Sequence, residues 1–170
     1  RQAFDMVLQM KDMDHPAYIR MSRHPVETVT AEGSHTEIGK IDVLREGGDV
    51  CFAATGVMVA EALHAAEALE EKGIHAAVLN VHTIKPLDRE TLIRYGKSCK
   101  RMVTAEEHSV IGGLGSAVAE VLAECGGCRM KRVGIQDKFG QSGDLGELME
   151  SYGLTAENLM ETALLLCHST

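Results

Sequence analysis

The apolar positions of the chain change period several times, and those changes lay out its elements. Phe4, Val7, Leu8 and Met10 recur at helical spacing, with Met6 and Met13 near the same face, so residues 1–13 read as a short amphipathic helix. Its methionines read as core filler. His15-Pro16 stops the helix, and 17-AYIRM-21 follows as a short strand leading into 22-SRHP-25. A helix and a strand are too little to form a domain of their own. From Val26 to about Glu37 the pattern is polar and aperiodic, as in a linker.

After the linker, 38-IGKIDVLRE-46 and 49-DVCFAAT-55 flank Gly47-Gly48, the two-residue signal of a hairpin. The pairing predicts a first strand antiparallel to the second. Alternation in the first strand implies one exposed face, and the apolar run of the second implies a buried central strand. A helix is then expected from Val57 to Lys72 with Gly73 as left-handed cap, followed by a strand over 74–83. Asp88 caps a helix to about Ser98, 101–107 is a strand, Leu114–Glu124 a helix and 131–136 the last strand. Thr155 caps a closing helix to about Cys167, with Leu159, Ala163 and Leu166 on its inner stripe. Strand and helix alternating in this way predict an α/β fold: a mostly parallel sheet with right-handed crossovers and helices on both faces.

Composition narrows the class. A chain of 170 residues with 45% hydrophobic and 25% charged residues has enough material for one substantial core and no mark of disorder. Its formal net charge of −8 speaks against nucleic acid and acidic membrane surfaces as partners, because both are held through many Lys and Arg contacts. No run approaches the length of about eighteen apolar residues that a membrane helix needs. The opening RQAFDMVLQM resembles neither a signal peptide nor an initiation site, so a cytoplasmic protein with a cut start is expected. Five cysteines, Cys51, Cys99, Cys125, Cys128 and Cys167, suit reduced thiols. Cys125-Gly-Gly-Cys128 has the spacing of redox and zinc sites, but without a second pair it reads as two thiols on a helix end and its turn.

The most pointed stretch is 104-TAEEHSVIGGLGSA-117. Glu106 and Glu107 end a parallel strand at the carboxyl edge of the sheet, where open α/β folds bind ligands, and the glycines open a helix whose free N–H groups suit an anion. Yet 112-GGLG-115 matches neither dinucleotide nor P-loop spacing, and two glutamates would repel a phosphate. The glycines read instead as an elbow that lets the helix pack back on the sheet. His108 beside two carboxylates suits either a general base or a surface loop histidine. The eight histidines show no metal-ligand spacing. Thr55-Gly56, at another strand end, reads as a ligand edge or a helix N-cap. Arg20 and Arg23, with Ser22 between them, are able to grip a phosphate monoester bidentately or to stand as solvated surface residues.

Taken together, 47-GGDVCFAATGVMVAEALHAAEALEEKGIHAAVLNVHTIKPLD-88, 102-MVTAEEHSVIGGLGSAVAEVL-122, 137-DKFGQSG-143 and 152-YGLTAENL-159 resemble the C-terminal part of the thiamine-diphosphate-dependent transketolases. The chain is especially similar to the C-terminal polypeptide of the type split in two. The resemblance implies a three-layer α/β/α domain at 38–170, built on a five-stranded mostly parallel sheet with one antiparallel strand. A remnant of the pyrimidine-binding domain would precede it at 1–25, with a linker at 26–37. It also implies a transferase of the pentose phosphate pathway, moving a two-carbon ketol unit between sugar phosphates. Arg23, and less directly Arg20, would contact the substrate phosphate. Glu106, Glu107 and His108 would lie in a loop at a domain or subunit boundary. Thiamine diphosphate and Mg2+ would be held by the complete enzyme and not by this chain, which would supply no catalytic residue and be inactive alone. Its partner would be the N-terminal transketolase subunit or domain, and it would self-associate through apolar surface. Similar modules occur in deoxyxylulose-phosphate synthase and 2-oxo acid dehydrogenases. An independent nucleotide- or regulator-binding module, using the edge around Thr55, Glu106 and Gly112, is the rival of another class.

Overall fold

The computed structural model describes residues 2–168. Its elements in chain order are α1 (Gln2–Met10), β1 (Asp42–Arg45), β2 (Val50–Ala54), α2 (Met58–Glu70), β3 (Ala76–Asn80) and α3 (Arg89–Cys99). They continue with β4 (Arg101–Ser109), α4 (Leu114–Cys125), β5 (Arg129–Ile135), α5 (Leu145–Ser151) and α6 (Ala156–His168). Arg1, which the predicted first helix includes, and residues 169–170 lie outside the described residues.

The sheet order is β1-β3-β2-β4-β5, with β2, β3, β4 and β5 parallel and β1 antiparallel to β3. Period-two alternation along β2 feeds two cores. Val50, Phe52 and Ala54 pack with α2 and α6 on one face, while Cys51 and Ala53 pack with α3 and α4 on the other. Leu159, Ala163 and Leu166 of α6 are buried in the first core, as their spacing predicts. Gly73 adopts φ 75 after α2, and the Asp88 carboxylate accepts the Thr91 N–H at 3.1 Å to cap α3.

Local signals fail where the partner is not local. The Gly47-Gly48 hairpin does not form: β1 is antiparallel as predicted, but β3 lies between it and β2. The N–H groups of Gly48 and Asp49 both donate to the His75 carbonyl, so the glycine pair passes over the start of β3. Gly47 runs so close to that strand that a Cβ would collide with the backbone of His75, Ala76 and Ala77. Residues 17–21, predicted as a strand, carry no regular structure and pair with no strand among the described residues. Thr55 does not cap α2. Val57 holds that position, with no side-chain cap bond.

The first helix forms but turns its expected face outward. Phe4, Val7 and Leu8 are exposed, and Asp5 is buried instead. Polar groups hold the helix. Gln2 donates to Asp42 at 3.2 Å, while Gln9 donates to the Thr36 carbonyl and accepts the Ile38 N–H at 3.0 Å. One element went unassigned in the sequence. Asp144 accepts the Gly146 N–H at 2.9 Å and starts the short helix α5.

Candidate functional site at the carboxyl edge of the sheet

A cleft of about 960 Å³ opens where β2, β3 and β4 end, and α1 with residues 13–22 closes its other side. Parallel strands deliver these groups together because all three end on the same edge. Thr55 and Gly56 follow β2, His82 and Thr83 follow β3, and Glu106, Glu107 and His108 come from β4.

Glu106 answers the question raised by the glycine-rich turn. The residue is 1% exposed, and its two carboxylate oxygens accept the N–H groups of Leu114 at 2.7 Å and Gly115 at 2.8 Å. The anion at the α4 N-terminus is therefore the protein's own side chain. Gly113 is required for this closeness, since a Cβ there would collide with Glu106 Oε2. At Gly115 a Cβ would stand 2.9 Å from Thr104 Oγ1, so the helix start lies against the sheet as the elbow reading predicts. The turn itself is pinned by the Gly112 N–H to Ser116 Oγ at 2.9 Å and by Arg132 donating to the Val110 carbonyl at 2.8 Å.

Glu106 and Glu107 lie in the strand as its predicted span 101–107 has them, and His108 joins them there instead of in the boundary loop: β4 runs on to Ser109, which still pairs with Ile135 of β5. Only the first of the three is buried. Glu107 is half-buried and His108 exposed. The Glu107 carbonyl accepts both terminal nitrogens of Arg20 at 3.3 Å, which draws residues 17–21 onto the sheet edge. Arg23 is exposed on the same segment.

His82 is a cleft residue that the sequence reading did not single out. Its side chain is 3% exposed, with Nδ1 2.9 Å from Thr83 Oγ1 and Nε2 3.7 Å from Asp42 Oδ2. Nε2 has no hydrogen-bond partner among the described residues. Burial pushes the imidazole below its ordinary pKa, and the Asp42 carboxylate pulls the other way. Asp42 also accepts from Gln2 and Asn80, so one carboxylate joins α1, β1 and β3 beside the cleft. The one signal for this site is a histidine just past a buried strand.

The five cysteines are free thiols. Cys125 ends α4 and Cys128 follows its turn, as expected for thiols on a helix end. Among the described residues, no three His, Cys, Asp or Glu side chains converge as a metal site.

Residues 39–159 match the family model described as "Transketolase, C-terminal domain". The chain is 48% identical to the 6-deoxy-6-sulfo-D-fructose transketolase subunit SqwH of a Clostridium species, over 96% of this chain and 50% of that one. It is 44% identical to a 1-deoxy-D-xylulose-5-phosphate synthase of Heliobacterium modesticaldum, over 80% of this chain and 21% of that one. A solved structure described as a split gene transketolase, inactive beta4 tetramer, superposes with a TM-score of 0.92 at 43% identity, covering 96% of this chain and 54% of the other. The chain thus spans about half the length, or less, of the relatives it matches.

Proposed function

Because the chain belongs to the transketolase C-terminal domain family, we propose that it is the C-terminal part of a split transketolase, completed by an N-terminal subunit. The observation that carries this reading is the likeness over 96% of the chain to about half of a transketolase subunit, at 48% identity, and of a split gene transketolase chain, at 43%. The complete enzyme moves a two-carbon ketol unit between sugar phosphates, with thiamine diphosphate and Mg2+ supplying the carbanion chemistry when bound. The chain's own groups do not fit that cofactor. The helix N-terminus best suited to a diphosphate is filled by Glu106, and among the described residues no acidic cluster converges on a metal. We therefore assign this chain scaffold and subunit contacts, with the cofactor held elsewhere in the assembly.

Arg23 is the proposed contact for the substrate phosphate. It is exposed beside Ser22 on the segment that crosses the cleft, and Arg20 anchors that segment to Glu107. The chain acts in the cytoplasm and self-associates. Free thiols and the exposed Phe4, Val7, Leu8 and Met21 support these two assignments, and no described helix is long and apolar enough to cross a membrane. Glu107 and His108 belong to the boundary with neighbouring parts of the assembly, while Glu106 holds that edge in shape.

The test is reconstitution of the N-terminal subunit with a C-terminal subunit that carries this chain together with the preceding half its relatives have, in thiamine diphosphate and Mg2+. Ketol transfer should appear only in the mixture, and Arg23→Gln should raise KM for a phosphorylated acceptor by about tenfold while changing kcat less. Activity of this chain alone would sink the reading. Condensation of pyruvate with a triose phosphate, in place of ketol transfer, would move the chain to the deoxyxylulose-phosphate synthase branch.

A further inference from the structure

The amino edge of the sheet carries a second recess, of about 470 Å³, lined by Lys100, Arg101, Gly127, Cys128 and Arg129. It lies at the opposite end of β4 from the Glu106 cleft. Arg101 and Arg129 face each other in register at the starts of β4 and β5. Both donate to one acceptor: Arg101 Nε lies 3.2 Å and Arg129 Nη2 3.0 Å from the Leu166 carbonyl oxygen near the end of α6. Arg101 Nη1 also donates to the Asp49 carbonyl at 3.2 Å. Two guanidinium groups are thus fixed around a single oxygen, on a chain whose net charge is −8.

These bonds hold the forks in place without exhausting them. A guanidinium has five N–H donors, so among the described residues Arg101 keeps donors on Nη2 and Arg129 keeps those on Nε and Nη1. Lys100 adds a third cation from the left-handed position that ends α3, at φ 57. The equivalent position after α2 is Gly73, the residue that adopts this conformation without a steric penalty. Gly127 lines the recess without a side chain, and a Cβ there would meet nothing within 4 Å. Two held guanidinium groups and an exposed lysine in an open recess match a group with several oxygens and up to two charges better than a single carboxylate.

We propose that Lys100, Arg101 and Arg129 form a binding site for a small phosphate-bearing anion at the amino edge of the sheet. The site is separate from Arg20 and Arg23 and does not depend on how those residues meet substrate.

Calorimetric titration of inorganic phosphate into the whole chain at fixed ionic strength, with chloride as balancing salt, tests it. One saturable site per chain is expected. Lys100→Gln, which leaves the Leu166 contacts intact, should weaken it about threefold or more, and Arg129→Gln about tenfold. An Arg20→Gln, Arg23→Gln double variant should bind as tightly as the parent. A parallel titration of the Arg20, Arg23 double variant with ribose 5-phosphate separates the sources: similar affinity identifies the phosphate group alone as the ligand, and tighter binding identifies a sugar phosphate. Heats no larger than those of chloride overturn the proposal. So does a site lost in the Arg20, Arg23 variant, or one that Lys100→Gln leaves unchanged.

Discussion

Residues 2–37 and residues 38–168 use apolar side chains in opposite ways. In the larger segment the apolar stripes close two cores, with Phe52 and Leu159 fully buried in one and Leu79 and Met102 in the other. In the smaller one Phe4, Val7, Leu8, Tyr18, Met21 and Val26 are all exposed, and the buried residues are Asp5 and Thr36. An amphipathic pattern is enough to make a helix, but the surface available to it decides which face is covered. Here α1 meets the polar groups Thr36 and Asp42, and it docks by hydrogen bonds from Gln2 and Gln9.

The contrast can be broken most forcefully at the tightest point of the larger segment. Gly113→Ala would drive a methyl group into the buried Glu106 carboxylate, and a loss of about 3 kcal/mol or more is expected in urea denaturation. Glu106→Gln keeps one acceptor for the two N–H groups of α4 and should cost about 1–3 kcal/mol.

Asp88→Ala comes next, at about 1–2 kcal/mol, because the carboxylate caps α3 and also accepts the Ile41 N–H at 3.1 Å. Burial pushes the Asp88 carboxyl up, but the bonds from Thr91 and Ile41 and the nearby Lys40 charge outweigh it and leave the group below its ordinary pKa. A depressed carboxylate stabilises the fold above its unfolded value. The wild-type advantage over Asp88→Ala should therefore persist above about pH 4 and fade as pH falls through the lowered folded value.

His82 sharpens the comparison at the seam between the two segments. Its folded pKa lies below the unfolded one, so over the interval between them the unfolded chain binds more protons and stability should rise with pH. Denaturation midpoints should fall as pH drops below about 6.5, and His82→Asn should flatten that slope. The smallest effect on stability belongs to the exposed stripe. Changing Phe4, Val7 and Leu8 together to Ser should shift unfolding by no more than about 0.5 kcal/mol per site, yet reduce self-association in sedimentation. A large loss of stability there would mean that the stripe packs against the rest of the chain in solution.

The alternating elements after residue 49 were legible because each is set by its own periodicity and caps. Asp88 and Gly73 mark helix ends as predicted, and Leu159, Ala163 and Leu166 face inward. The carboxyl edge was legible too, since parallel crossovers place strand ends together. What could not be read there was the job of Glu106. Taken as a charge that would repel phosphate, it is the anion that already occupies the helix start, and this depends on a strand end and a helix eight residues later meeting in space.

By itself, then, the sequence determined the type and order of most elements, the two-sided burial of the central strands and the family. Those follow from local periodicity, capping chemistry and residue identity. Only the tertiary structure decided that β3 enters between β1 and β2, that 17–21 stays unpaired, that α1 turns Asp5 inward and that Arg101 and Arg129 share one carbonyl. Each of these is a choice of partner between distant segments, and a strand edge, a helix face or a guanidinium carries no record in its own residues of which partner will reach it first.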